Sequence, residues 1–331
     1  MAFMAIEFAI TESLLLIFAQ PIFLFIFAIL VWSLQSFFIT GISRRFIFPY
    51  FYSNPITTYL FAQVSIILHE LSHFLSAIFT GSSIVSGETF ITPTQGRVTA
   101  ASEESAIGWF SRLVAALAPS FLPPLIFLAI FFVLSGQAPT LITSLTYPKT
   151  LYDFQTMLTG DVIDVLAPNL ALFVTSMTDF TNPLTFLFIY VLIVCSIAAG
   201  PSEGDWNSTL QLFLSPVPVI TLLGLFLFFN YAFSQFNIGF VIPLCLLIIF
   251  IFAVVAAGVF YSFLLARVIA LFRKSAVSAI LLVAVFFLVY YSVFYYVQDP
   301  VISFLASLVP SILIGLVLRK DNNKNNRRQP R

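Results

Sequence analysis

Histidine and cysteine are almost missing from this chain, with two of each in 331 residues. Two histidines cannot furnish the metal cluster of a multi-histidine iron hydroxylase or desaturase, which excludes that class of membrane enzyme. Cys195 and Cys245 lie in separate apolar runs, so neither a disulfide framework nor a thiolate metal site is indicated. Charge is scarce as well: 8% of the residues are Asp, Glu, Lys or Arg, against about 25% in soluble proteins. Acidic and basic residues balance at 14 each. No folded basic surface is in view, which argues against a nucleic-acid partner. The first apolar run is too long for a cleavable signal peptide and has no basic segment before it. No repeat period stands out, and no loop is long enough for a separate soluble domain.

What the chain does have is apolar surface. Sixty per cent of its residues are hydrophobic, 41 of them Phe, and the mean hydropathy is +1.05. This composition predicts an all-α polytopic membrane protein, with Phe, Leu and Ile facing lipid. Spans of about 20 apolar residues fall at 14–40, 55–80, 111–134, 182–200, 212–234, 238–266, 276–297 and 300–318, giving about eight transmembrane helices. The 141–180 segment carries Asp153, Asp161, Asp164 and Asp179 among apolar residues, which suits an extracytoplasmic or interfacial loop with short amphipathic helices. The Asn-rich end, 319–331, holds Arg319, Lys320, Lys324, Arg327, Arg328 and Arg331. It reads as a disordered basic tail on the cytoplasmic side, mildly attracted to anionic lipid. Placing that tail inside puts Arg267, Arg273 and Lys274, the 81–110 segment and the 201–211 segment inside too. Arg44 and Arg45 disagree with this scheme. The expected location is a cell membrane, crossed several times.

The two histidines stand four apart around a glutamate, His69-Glu70-Leu71-Ser72-His73. In this H-E-x-x-H pattern two imidazoles on one helix face hold Zn²⁺, and the intervening Glu handles protons for a metalloprotease. Asn54-Pro55 predicts the start of the helix that carries the motif, as an N-cap followed by Pro at the first helical position, and Gly81 predicts its end. At 1.5 Å per residue, His69 lies roughly 21 Å and His73 roughly 27 Å along it, within a hydrocarbon layer of about 30 Å. Ala62, Ser65, Ser76 and Ala77 fall near the same stripe, where small side chains let other helices approach. Polar clusters within a membrane are functional by default. With both histidines used, the third ligand of a catalytic zinc should be a carboxylate at the same depth, and Glu203 and Asp205 are the candidates. Helices two and four then run parallel, which brings the end of the fourth to the histidine-bearing end of the second.

On these residues the chain resembles the site-2-type intramembrane zinc metalloproteases, a family with H-E-x-x-H on one transmembrane helix and an Asp ligand from a short Gly-containing motif on a later one. The likeness covers roughly 55–210, the core of a membrane domain spanning 1–318. It implies His69 and His73 as ligands, Glu70 as general base and Asp205 as third ligand. The family motif has Asp followed by Gly, whereas here Gly204 precedes Asp205, which keeps Glu203 as a rival. It also implies a membrane protein as substrate and the bilayer as its setting. Residues 88–99, with Pro93 and Gly96, suggest a short β-hairpin or re-entrant strand after helix two, which in that family offers an edge to unwound substrate. Pro119, Pro123 and Pro124 should kink or interrupt the third helix. Arg112 orients a carboxylate or snorkels. Two other classes fit the composition: a transporter using the His-Glu pair as a proton relay, and a non-catalytic membrane scaffold.

Overall fold

The computed structural model describes residues 30–84, 90–92, 96–98, 100–101, 106–137, 161–202, 204–207, 209, 224 and 241–326. The expected span at 212–234 (save Gly224), Asp153 and the rival ligand Glu203 lie outside the described residues. Four described helices are long and apolar enough to cross a membrane: Pro55–Phe79, Gly108–Ser135, Leu246–Lys274 and Ala276–Val297. Leu30–Ser43, Leu184–Ala198 and Pro300–Ile314 are apolar but shorter. This is the build of a helical, membrane-embedded protein.

In chain order the helices are α1 (Leu30–Ser43), α2 (Pro55–Phe79), α3 (Ala106–Ser135), α4 (Asp161–Thr178), α5 (Leu184–Ala198), α6 (Val241–Lys274), α7 (Ala276–Val297) and α8 (Pro300–Asn326). Between α2 and α3, β1 (Ser83–Ile84) pairs antiparallel with β4 (Ala100–Ala101), and β2 (Phe90–Ile91) with β3 (Gly96–Arg97). Each ladder is two residues long. The chain divides into two compact units, 1–170 with 191–259, and 171–190 with 260–331.

The ends of α2 follow from local chemistry. Asn54 Oδ1 accepts the Ile56 N–H at 2.9 Å, and Pro55 opens the helix. At the other end Gly81 takes φ +73°. Ser82 N–H returns to the Ala77 carbonyl at 2.8 Å and Gly81 N–H to Ile78 at 3.1 Å, which is the Schellman pairing that closes a helix on a left-handed glycine. The small-residue stripe is buried: Ala62, Ser65, Ser76 and Ala77 are all at most 7% exposed, and Ser72 is buried too. Thr58–Gln63 is wound as a π-helix one turn before the histidines.

Three expectations need correction. First, α6 runs eight residues past the expected end of the span at 266 and carries Arg267, Arg273 and Lys274. Basic residues favour the last turn of a helix, Arg267 lies over the Phe263 ring at 4.6 Å, and nothing stops the helix before Ser275, the N-cap of α7. Second, Asp161 and Asp164 open the 18-residue helix α4, longer than the short amphipathic helices expected in that segment; at the other end of the chain α8 runs to Asn326. Third, phenylalanine is not only lipid-facing. In the first unit Phe51, Phe127 and Phe131 are fully buried. In the second, Phe180 sits amid Phe186, Phe286, Phe287, Tyr290 and Phe304, with ring centroids 5.2 to 6.1 Å away. Phe180 lies in the break after α4, where backbone groups lose their helical partners. Tyr290 Oη accepts its N–H at 3.1 Å and Tyr291 Oη donates to its carbonyl at 3.0 Å. An apolar interior requires such pairing of any broken backbone.

Candidate metal centre

The site lies in the first unit, where α2, α3 and α5 converge. Ser65 Oγ donates to the Val194 carbonyl at 3.0 Å, and His69 Nδ1 lies 2.9 Å from the Ala198 carbonyl. The two contacts keep the same offset four residues apart, so α2 and α5 run parallel over this turn. On the other flank His73 Nδ1 lies 2.8 Å from the Ala115 carbonyl, while Thr80 Oγ1 and Ser111 Oγ meet at 2.6 Å. Here sequence order reverses, so α3 runs antiparallel to α2.

Those two carbonyl contacts decide the histidine tautomers. A carbonyl oxygen only accepts, so Nδ1 carries the hydrogen in both rings. In a neutral imidazole the other nitrogen then bears a lone pair, and both lone pairs point to the same place. His69 Nε2 and His73 Nε2 are 3.3 Å apart. Asp205 faces them with one oxygen each, Oδ2 at 3.2 Å from His69 Nε2 and Oδ1 at 3.2 Å from His73 Nε2. Four electron-rich atoms this close repel one another unless a cation or protons lie between them. Ligands about 2.0–2.1 Å from a tetrahedral zinc stand roughly 3.3 Å apart, so the donor set fits zinc in both chemistry and spacing. A proton on Nε2 of either ring offers the alternative pairing. With Nε2 protonated, burial still opposes ionisation of Asp205, but the imidazoles beside it outweigh burial and hold its carboxyl well below the usual carboxylate range.

Asp205 is delivered by a turn of helix at 204–207. Ser202 Oγ accepts the Asp205 N–H at 3.1 Å, and Asp205 Oδ2 accepts the Ser202 N–H at 2.7 Å. This reciprocal pair is a capping box, with Asp in the place usually taken by Glu or Gln. It also removes the N–H that would continue α5 onto the Ala198 carbonyl, leaving that oxygen for His69. Trp206 stacks on Trp32 of α1 with centroids 4.6 Å apart and planes 12° apart, and Trp32 Nε1 donates to Ser120 Oγ at 3.0 Å. The turn is therefore tied to both α1 and α3.

Glu70 is 6% exposed. Its carboxylate accepts the Val98 N–H, and β3 passes so close that a Cβ on Gly96 would fall 2.4 Å from Glu70 Cγ. Thus His69, His73 and Asp205 come together, and Glu70 lies beside His69 in the chain. Arg112 is exposed on α3. The carbonyls of Ala115 and Ala198, and Ser202, Gly96 and Trp206, were not anticipated. Of these only Ser202 left a signal, the S-x-x-D pattern ahead of Trp206. No protein-family model, curated protein or solved structure matches this chain.

Proposed function

We propose that this chain is a membrane-embedded zinc metallopeptidase, similar to the site-2-type proteases, that hydrolyses peptide bonds in or near membrane segments of other proteins. One observation carries the reading: two imidazole lone pairs and an aspartate converge at 3.2 to 3.3 Å beside a buried glutamate. His69, His73 and Asp205 would hold the ion and leave a fourth position open, the ligand count of a catalytic rather than a structural site. When bound, zinc supplies a Lewis acid for the scissile carbonyl and lowers the pKa of water to about 7. Glu70 accepts the water proton and returns it to the leaving amine. The Val98 N–H anchors the Glu70 carboxylate for that exchange. Substrate helices must unwind before their amides can be attacked, since a helix satisfies its own backbone. The short strands at 83–101, read as a hairpin, offer an edge on which an unwound segment can pair. About eight spans and a cytoplasmic, basic C-terminal end complete the picture.

The test is cleavage by full-length protein in lipid vesicles containing single-span membrane peptides. Wild type should cut in a chelator-sensitive manner, and Glu70→Gln should be slower by at least ~10². Equal cleavage by both proteins removes Glu70 from the chemistry. Proton flux without cleavage favours the relay of a transporter.

A further inference from the structure

We propose that Pro119 is a positioning residue for the metal centre: by lacking an N–H it frees the Ala115 carbonyl, which fixes the tautomer and aim of His73. The inference rests on the metal reading above.

In an uninterrupted helix the carbonyl of residue 115 accepts the N–H of residue 119. Proline has none. Helix α3 nonetheless continues through Pro119, Pro123 and Pro124 to Ser135, so the Ala115 oxygen faces outward from an unbroken segment without its helical donor. An unpaired carbonyl in an apolar interior is costly. His73 Nδ1 meets this one at 2.8 Å. That contact requires the hydrogen to sit on Nδ1, which leaves the lone pair on Nε2, the atom 3.2 Å from Asp205 and 3.3 Å from His69. The same helix repeats the device. Pro124 withholds an N–H from the Ser120 carbonyl, and Gln35 Nε2 of α1 donates to that oxygen at 2.8 Å. Pro119 and Pro124 are both buried. Pro119 and Pro124 thus create acceptors at set points along the helix.

Orienting partners of metal-bound histidines typically contribute 10- to 100-fold in metal affinity. Pro119→Ala restores an N–H that competes with His73 for the Ala115 oxygen, while alanine suits the helix better than proline. The two effects have opposite signs, and a purely structural role does not separate them. The experiment is competitive titration of Zn²⁺ with a chromophoric chelator on the full chain, beside thermal unfolding. Pro119→Ala should bind zinc at least tenfold more weakly with an unchanged or higher Tm. Pro124→Ala, which affects Gln35 instead, should stay within threefold of wild type. An α-hydroxy acid at position 119 makes an ester with no N–H and no ring, and should restore wild-type affinity. Unchanged zinc affinity in Pro119→Ala, or failure of the ester to rescue, overturns this inference and leaves the metal reading standing. Absence of zinc binding by wild type overturns both.

Discussion

Gly96→Ala tests whether β3 seats the Glu70 carboxylate. The added methyl would lie 2.4 Å from Glu70 Cγ, 2.8 Å from Oε1 and 2.9 Å from Cδ. Carbon atoms at ease sit about 3.5 Å apart, so Glu70 or the strand must yield about 1 Å. The strand is anchored to its neighbour by only two residue pairs, Phe90↔Arg97 and Ile91↔Gly96, yet Val98 two residues on holds the same carboxylate. Movement of either element therefore displaces Glu70 relative to that N–H. A misplacement of about 1 Å at a reacting group lowers rates roughly 10²-fold. The three nearest atoms to the new methyl all belong to Glu70, and none to His69, His73 or Asp205. The expected result is a turnover lower by about 100-fold at unchanged zinc content, read by peptide cleavage in vesicles and metal analysis of the same sample. Turnover within threefold of wild type would refute the seating of Glu70 by β3. Loss of zinc would show that the strand supports the ligands instead.

Three further outcomes follow from the geometry. Zinc should be released on acidification, because the metal-bound form requires unprotonated Nε2 on both histidines, so that protons compete with the ion for the same lone pairs and affinity falls by between about ten- and a hundredfold per pH unit once both are protonated. Retention unchanged at pH 5 in equilibrium dialysis would exclude imidazole ligation. Ser202→Ala removes the acceptor of the Asp205 N–H, a loss of about 1 kcal/mol that should weaken zinc binding about fivefold, and unaltered affinity would mean that the turn is held by Trp206 alone. Gly81→Ala forces a side chain onto φ +73° and should lower stability by about 1 kcal/mol with zinc content intact, measured by thermal unfolding; an unshifted midpoint would contradict the closure of α2 described above.

The parts of this architecture readable in the sequence are those set by short-range rules. The i, i+4 histidines, the Asn54-Pro55 cap, the Gly81 stop and the buried stripe of Ala and Ser all follow from helix geometry within one segment. The parallel run of α2 and α5 also followed, because counting spans fixes direction. Between Glu203 and Asp205 a local cue was present but unused: Ser202 three residues before Asp205 makes the box that holds its carboxylate. Other features depend on the register between distant segments. Nothing near Pro119 announces that the Ala115 oxygen faces His73, 42 residues earlier in the chain, and nothing near Gly96 announces Glu70. Composition alone also misjudged phenylalanine, since a total of 41 does not separate the rings that pack on Phe180 from those meeting lipid. The span expected to end at 266 fell short of α6 because charge marks the end of an apolar run, whereas a helix can extend beyond the apolar layer.

The most direct measurement is metal content of the purified full chain by mass spectrometry, for wild type, His69→Ala, Asp205→Ala and Glu203→Gln. The account predicts about one zinc per chain in wild type and Glu203→Gln, with little in His69→Ala and Asp205→Ala. Full retention in Asp205→Ala together with loss in Glu203→Gln would contradict it.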